Sequence, residues 1–268
     1  MRSVVVVPIL AAMMLAACSS RTPATGEQDL HGGYPTAAAA AVGLLIARDG
    51  GSCTGTLITP RVVLTAAHCV GSGVDAFYMG EGGPIPEDDS AMPDRLRRHL
   101  VDDALGHPDY RERKDCPARP NRADIGLVHL ASPVVDVPPL RLGYRREGVP
   151  RNCLSIGFGL HDGPNGTTLM EKRAGYMRPT EYAEDSVRAI EGDEPTRLLN
   201  PPRPATVGEG INGFADRGDS GGPFICDRQS ILAVTSCGVL RDPDGWYALV
   251  EPYEPWIRTT IDGWDLTP

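Results

Sequence analysis

A chain of 268 residues can form one large all-β domain or two smaller ones, because length bounds the number of domains only loosely. Its 31 glycines and 25 prolines favour many short strands separated by turns over long helices, so we predict an all-β fold. The net charge of -9, from 26 Lys and Arg against 35 Asp and Glu, repels polyanions and argues against nucleic acid as a partner.

The first residues have the pattern of an export signal. Arg2 supplies a positive end, an apolar run extends from Val4 to Ala17, and small residues precede Cys18. The end of this run, Leu15-Ala16-Ala17-Cys18, resembles the bacterial lipoprotein signal, in which the Cys becomes the lipid-modified first residue of the mature chain. We therefore expect a signal peptide over 1–17 and a membrane anchor through lipid on Cys18, at the outer membrane in a Gram-negative cell. An ordinary cleaved signal that ends near a Cys is the alternative.

The cysteine count agrees with export. When Cys18 is set aside, six of the seven cysteines remain, an even number that suits an oxidising compartment and allows three disulfides. Residues 18–29 are polar beyond the Cys and lack periodicity, which predicts a tether or prosegment. No later stretch is long and apolar enough to cross a membrane.

Short β-rich runs recur between Gly and Pro positions along the rest of the chain. They are Val42 to Ile46, Leu57 to Leu64, Ile125 to Leu130, Leu154 to Phe158, Ile231 to Thr235 and Trp246 to Val250. The tail differs, since apolar positions from Tyr253 to Ile261 fall on one face at helical spacing. This order predicts barrels or a sandwich followed by a C-terminal helix.

Three segments carry the residue types of a nucleophilic serine centre. A serine hydroxyl needs an imidazole to take its proton and a buried carboxylate to orient that imidazole. The segments are Leu64-Thr65-Ala66-Ala67-His68-Cys69, Ala123-Asp124-Ile125-Gly126-Leu127 and Gly218-Asp219-Ser220-Gly221-Gly222-Pro223. Alone, such a His is usually a packed or surface imidazole, and such an Asp is usually a turn residue. The glycines around Ser220 let successive N–H groups point at one spot, and the joint occurrence of all three segments predicts a catalytic site.

These segments resemble the His, Asp and Ser motifs of the trypsin and chymotrypsin family of serine peptidases. Their order, His before Asp before Ser, is that of chymotrypsin and differs from the order in subtilisins and α/β-hydrolases. The resemblance covers nearly all of residues 30 to 263. It implies two antiparallel Greek-key β-barrels with the site between them: a peptidase domain over 30–268, with barrel 1 at about 30–143, barrel 2 at about 144–252 and a helix at about 253–263.

The resemblance also implies a role for each site residue. Ser220 attacks the scissile carbonyl while His68 acts first as base and then as acid, oriented by Asp124. The backbone N–H groups of Gly218 and Ser220 form the oxyanion hole, and Ser236 supports the buried Asp124.

The resemblance pairs four cysteines and leaves two. Cys53 with Cys69 matches the disulfide behind the catalytic His, and Cys153 with Cys226 matches one in the second barrel. Cys237 stands where the family usually has an aromatic residue that lines the cleft, and Cys116 lies in a long loop that borders the same region. We hypothesise a third disulfide, Cys116 with Cys237, that narrows the subsites beside the main pocket.

The specificity pocket departs from that of trypsin. Phe214 aligns with the acid that selects basic residues, while Gly238 and Gly245 fit an open-walled pocket, so cleavage after Lys or Arg is not the default expectation. If Asp216 reaches the pocket base instead, a preference for basic substrates returns.

An activation cut is a further hypothesis. Leu30-His31-Gly32-Gly33 resembles the first residues of mature relatives, whose freed amine pairs with the Asp before the nucleophile. Cleavage after Asp29 would let the Leu30 ammonium bind Asp219, order the oxyanion loop and release the domain from its lipid.

The sequence thus predicts an exported, lipid-anchored serine endopeptidase, which the activation cut would release to the periplasm or the extracellular space. We expect it to act on proteins or peptides as a monomer, without a metal or an organic cofactor. The alternatives are a catalytically silent binding or adhesion protein on the same fold, and a serine esterase with the same acyl chemistry.

Overall fold

The computed structural model describes residues 34–37, 39–80, 82–86, 92–116, 118–145, 153–162, 168–191, 217–226, 230–238 and 244–266. Five positions named above therefore lie outside the described residues: Cys18, Asp29, Leu30, Phe214 and Asp216. So do the signal and the tether.

The described part of the chain is mostly strand. In chain order the strands are β1 (Tyr34–Pro35), β2 (Val42–Ala47), β3 (Ser52–Leu57), β4 (Val62–Thr65), β5 (Val74–Gly80), β6 (Ile85–Pro86), β7 (Leu96–Gly106), β8 (Gly126–Leu130), β9 (Arg141–Leu142), β10 (Cys153–Gly157), β11 (Leu160–Asp162), β12 (Thr168–Met170), β13 (Arg173–Tyr182), β14 (Ser186–Glu191), β15 (Pro223–Ile225), β16 (Ser230–Gly238) and β17 (Asp244–Leu249). Two 3₁₀ turns, Ala67–Cys69 and Glu251–Tyr253, and the helix α1 (Glu254–Asp265) are the helical elements described.

Two closed antiparallel barrels are built from these strands. The first has the order β2-β3-β4-β8-β7-β5. The second has the order β13-β10-β15-β16-β17-β14 and closes where β13 pairs with β14. Closure leaves neither barrel with an open sheet edge. The two antiparallel barrels and the C-terminal helix confirm the predicted fold.

Apolar side chains fill each barrel and the space between them. Phe77, fully buried, lies in the core of the first barrel, and Phe224 stacks on Tyr247 at 4.2 Å in the second. A further cluster joins the barrels, because Leu64 and Leu127 of the first pack with Ile231 and neighbouring residues of the second. This shared cluster holds the two barrels against each other.

One predicted run is wrong as a single strand. The run from Leu57 to Leu64 is divided between β3 and β4 by a turn at Thr59 and Pro60. Thr59 Oγ1 accepts hydrogen bonds from the N–H groups of Arg61 at 3.2 Å and Val62 at 3.0 Å. A hydroxyl that binds the backbone two and three residues ahead competes with strand pairing, and Pro60 has no N–H to give to a ladder.

The C-terminal helix is the last element described and packs against residues of both barrels. Ile257 is fully buried, and Trp256, Ile261 and Trp264 pack on the cluster between the barrels. Trp264 also donates through Nε1 to Asp103 at 3.0 Å on β7. Among the described residues, no helix has the length and apolar content that crossing a bilayer requires.

Candidate active site

The fold brings His68 and Asp124 together. His68 lies in the 3₁₀ turn that follows β4, and Asp124 comes two residues before β8. Because β4 and β8 are antiparallel neighbours with Thr65 opposite Gly126, the end of one strand and the start of the other meet. His68 Nδ1 lies 2.8 Å from Asp124 Oδ2, and the His68 backbone N–H donates to Oδ1 at 3.0 Å.

The Asp124 carboxylate is fully buried and held from both barrels. Ser236 on β16 donates its hydroxyl to Oδ2 at 2.6 Å, and the Asn121 side-chain amide donates to the same oxygen at 3.2 Å. A carboxylate without water needs such donors, because burial of an unpaired charge is costly. The position of His68 is thus fixed by a carboxylate that cannot turn freely.

Burial and the neighbouring charges shift the pKa values of His68 and Asp124 in opposite directions. Burial of the His68 ring acts to lower its pKa, but the charge and hydrogen bond of Asp124, with a contribution from the Glu112 charge, raise that pKa above its usual value. Burial likewise acts to raise the pKa of Asp124, while His68 and the hydroxyl of Ser236 together hold it below its usual value. Asp124 therefore stays ionised, and Nδ1 of His68 carries the proton between them. Nε2 is the ring nitrogen left to accept another proton.

Ser220 lies in a loop whose backbone conformation requires glycine at two positions. Gly218 has a φ of 96° and Gly221 a φ of 79°, both in the left-handed region. A Cβ on Gly218 would lie 2.4 Å from the Phe158 carbonyl oxygen, and one on Gly221 would lie 2.0 Å from Thr65 Oγ1. The glycines therefore allow the loop to press against β4 and the segment after β10.

Thr54 on β3 pins this loop to the first barrel. Its N–H donates to the Ser220 carbonyl at 2.8 Å, and its hydroxyl donates to the Gly218 carbonyl at 2.7 Å while accepting from the Phe158 N–H at 2.9 Å. Cys69 Sγ, in the residue after His68, lies 3.6 Å from the Ser220 carbonyl oxygen. Ser220 is thus carried to the side of His68.

The structure does not join the Ser220 hydroxyl to the imidazole. Within the described ranges, the hydrogen bonds of His68 are those to Asp124, and no bond from the ring to Ser220 Oγ is present. Catalytic hydrogen bonds are often longer before substrate binds, so this geometry is compatible with proton transfer in the complex.

The two N–H groups expected for an oxyanion are oriented by their own peptide planes. Arg217 O accepts from Leu160 N at 2.8 Å, and Asp219 O accepts from Gly222 N at 2.9 Å. In a trans peptide the N–H points opposite to the C=O, so the N–H groups of Gly218 and Ser220 point away from these partners. Within the described part of the chain, neither N–H has a protein acceptor.

The Asp219 carboxylate lies against two glycines, since a Cβ on Gly157 or on Gly159 would lie 2.1 Å from one of its oxygens. This cradle leaves the carboxylate beside the chain that follows β10. The expected pairing partner, Leu30, lies outside the described residues.

Three disulfides are present among the described residues, and two of them adjoin the site. Cys53 on β3 is joined to Cys69, Cys116 to Cys237 on β16, and Cys153 to Cys226. The first fixes the turn that carries His68, and the second ties the loop before Asp124 to the residue after Ser236. Cys53, Cys69 and His68 have atoms within 4.8 Å of one another, but the paired sulfurs offer no thiolate to a metal.

The proposed pocket wall lies at the end of one ladder. Gly238 on β16 and Gly245 on β17 are register partners. Because both are glycines, no side chain projects from either position. Gly238 is exposed and Gly245 is buried. Phe214, the third expected pocket residue, is outside the described ranges.

Sequence reasoning missed two residues that support Asp124. Asn121 gives it a hydrogen bond, and Asp185 accepts the N–H of Ala123 at 3.2 Å and the hydroxyl of Tyr253 at 2.6 Å. Ala123 has a φ of 49°, an unfavourable left-handed conformation for a non-glycine residue, directly before Asp124. No local pattern marks either supporting residue. Asp185 is 62 positions from Ala123, and an Asn near an Asp, as Asn121 is near Asp124, is common in turns.

Comparison with known proteins agrees with this geometry. The family model described as Trypsin matches residues 30–257. Kallikrein-11 of Homo sapiens is 30% identical over 217 residues, which cover 78% of this chain and 71% of that protein. Protein C activator of Agkistrodon contortrix contortrix is 31% identical over 230 residues, which cover 82% of this chain and 90% of that protein. The solved structure of mouse neuropsin, a serine protease, has a TM-score of 0.59 and 21% identity over 86% of this chain and 98% of its own, a likeness in fold.

Proposed function

Because the chain belongs to the trypsin family of serine endopeptidases, we propose that it hydrolyses peptide bonds with His68, Asp124 and Ser220 as its catalytic triad. The observation that carries this proposal is the hydrogen-bonded chain from Ser236 through the buried Asp124 to His68. It leaves one imidazole nitrogen free to act beside Ser220.

The reaction proceeds by acyl transfer. Ser220 Oγ attacks the scissile carbonyl carbon as its proton passes to His68 Nε2, and the resulting oxyanion accepts hydrogen bonds from the N–H groups of Gly218 and Ser220. His68 then gives the proton to the leaving amine as the C–N bond breaks. Water attacks the acyl-enzyme as its proton passes to His68 Nε2. His68 then returns that proton to Ser220 Oγ as the acyl C–Oγ bond breaks, which releases the acid product and restores Ser220.

Substrate preference depends on the pocket and on the neighbouring subsites. We propose that Gly238 and Gly245 leave the pocket wall open and that Phe214 replaces the acid which selects basic side chains. The Cys116–Cys237 disulfide takes the place of an aromatic residue and narrows the adjoining subsites. A preference for non-basic residues before the cleaved bond follows.

Export and activation belong to the same proposal. Three disulfides are typical of proteins in an oxidising compartment, which supports export. We propose a signal peptide over 1–17, lipid on Cys18, a tether to residue 29 and a monomeric peptidase domain over 30–268. A cut before Leu30 would then free an amine for Asp219 and separate the domain from its anchor.

Digestion of an unfolded protein substrate tests the function. The purified chain, before and after limited proteolysis near Leu30, is incubated with the substrate beside Ser220→Ala, and new termini are mapped by mass spectrometry. We expect cleavage by the wild type alone, mostly after non-basic residues. Hydrolysis of small esters without protein cleavage would indicate an esterase, and neither activity would indicate a binding protein.

A further inference from the structure

Asn121 lies against the triad with its amide oriented by two different partners. It is 5% exposed, its Nδ2 is 3.2 Å from Asp124 Oδ2 and 3.4 Å from Ser236 Oγ, and its Oδ1 accepts the Arg113 N–H at 2.9 Å. A backbone N–H can only donate, so the carbonyl end of the amide must face Arg113. The NH₂ end therefore faces the carboxylate.

This contact completes the hydrogen bonding of one carboxylate oxygen. Asp124 Oδ2 receives His68 Nδ1, the Ser236 hydroxyl and the Asn121 amide, while Oδ1 receives the His68 backbone N–H. Donors from three separate segments prevent the carboxylate from rotating about its side-chain bond. The direction of the bond to His68 is set by all three.

The loop that carries Asn121 is itself firmly attached. Arg111 and Arg122 exchange two backbone hydrogen bonds, at 3.0 and 3.1 Å, which close the loop at its base. The Cys116–Cys237 disulfide ties the middle of the loop to β16, next to Ser236. The amide is thus presented to Asp124 from a segment that is held by two backbone hydrogen bonds and a disulfide.

We propose that Asn121 is a positioning residue for the reaction, whose amide holds the Asp124 carboxylate in line with His68. This inference rests on the proposed triad. Asn121 does not contact the reacting atoms, so it acts on catalysis only through Asp124.

Other charged or ionisable groups lie near His68 and Asp124, and the variants of Asn121 described below leave those groups unchanged. Glu112 adds a negative charge near His68, and Tyr110, from the same loop, lies near both carboxylates. Asn121 also lines a cavity of about 460 Å³, whose charged or ionisable lining residues are Arg113, Arg119, Arg122, Glu184, Asp185 and Tyr253.

Two variants with the same number of side-chain heavy atoms separate positioning from packing. Asn121→Leu removes both the donor to Asp124 and the acceptor of the Arg113 N–H, whereas Asn121→Asp replaces the donor by a second carboxylate and keeps an oxygen for that N–H. Arg119→Ala is the control, because Arg119 lies in the same loop and its side chain is 65% exposed. We measure kcat, KM, melting temperature and the pH of half-maximal kcat/KM, with active sites counted by fluorophosphonate titration.

We expect kcat per titrated site to fall about tenfold in Asn121→Leu, with KM within about twofold, as loss of one hydrogen bond to a buried charge implies. The half-maximal pH rises in Asn121→Leu, because Asp124 without this donor attracts the His68 proton more strongly. It rises further in Asn121→Asp, because a second negative charge is added. Arg119→Ala leaves all of these values near those of the wild type.

The inference is overturned if Asn121→Leu keeps the wild-type kcat and half-maximal pH. It is also overturned if that variant only melts at a lower temperature while kcat per titrated site is unchanged, which is the result of a structural role. A wild type that takes no fluorophosphonate label overturns the proposed function and this inference together. A labelled and active wild type confines any failure to Asn121.

Discussion

At the scale of single residues, Asp124 determines the pH at which His68 can accept a proton. Burial acts to lower the pKa of His68, yet Asp124 and Glu112 outweigh it and raise that pKa above 6.5. A raised pKa keeps the imidazole protonated, and thus unable to act as a base, to a higher pH. We expect kcat/KM to increase with pH through a midpoint above 6.5, as a pH–rate profile would show. A midpoint below that value would contradict the balance of forces described here.

Glu112 offers a separate test of that balance. Glu112→Gln removes a negative charge near His68, so the pKa of His68 falls and the midpoint of kcat/KM moves to lower pH. Glu184→Gln is the matched control, because Glu184 is also exposed but, unlike Glu112, is not among the groups that shift the pKa of His68. The shift should shrink as salt is added, since exposed charges are screened. Equal shifts in the two variants would show an effect of net charge alone.

At this scale local motifs in the sequence indicate the three residues of the proposed triad, but not most of the residues that support them. His68, Asp124 and Ser220 each sit in a motif whose neighbours are dictated by the chemistry or the tight turn. Thr54 supports Gly218 across 164 positions of sequence, and Ser236 and Asn121 reach Asp124 by unrelated routes. A hydrogen bond between residues that are distant in sequence leaves no local pattern. Ser236 was identified only through the resemblance to the family.

At the scale of elements, β3 carries two buried threonines with opposite roles. Thr54 exchanges hydrogen bonds with Phe158 and Gly218, whereas the Thr56 hydroxyl is buried and has no partner among the described residues. Thr54→Val should lower the free energy of unfolding by about 2 to 4 kcal/mol, because it leaves a buried N–H and C=O unpaired. It should also lower kcat, since the Gly218 peptide loses its anchor.

Thr56→Val is the control in the same strand. It removes a hydroxyl that is already unsatisfied, so stability should stay the same or increase by about 1 kcal/mol. Urea denaturation of both variants measures the two effects. If Thr54→Val and Thr56→Val change the free energy of unfolding equally, the hydrogen bonds of the Thr54 hydroxyl do not hold the loop that carries Ser220.

The strands found from sequence are those with continuous apolar runs. β4, β8 and β16 are almost entirely buried, so nearly every side chain signals a strand. β7 was missed because most of its side chains are exposed and several carry charge, such as Arg97 and Arg98, which pair with acids on neighbouring segments. In such a strand the sequence lacks the apolar alternation that would identify it.

At the scale of the whole molecule, the Cys116–Cys237 disulfide ties the loop between β7 and β8 of the first barrel to β16 of the second barrel. In the double variant Cys116→Ser, Cys237→Ser, we expect substrates with bulky residues next to the cleaved position to gain kcat/KM relative to small ones. The free energy of unfolding should fall by about 2 to 5 kcal/mol. A peptide panel that varies one position at a time measures the first effect, with the residue before the cut as an internal control. An unchanged profile would show that the disulfide only stabilises the fold.

The central claim is that Ser220 is a nucleophile activated by His68 and Asp124, and the rate of fluorophosphonate labelling tests it most directly. The wild type, His68→Ala and Ser220→Ala are labelled under the same conditions, after limited proteolysis near Leu30, and the adduct is located by mass spectrometry. We expect rapid labelling of the wild type at Ser220, none in Ser220→Ala, and a rate lower by at least about a thousandfold in His68→Ala. An adduct at another residue, or equal rates in the wild type and His68→Ala, would contradict the triad.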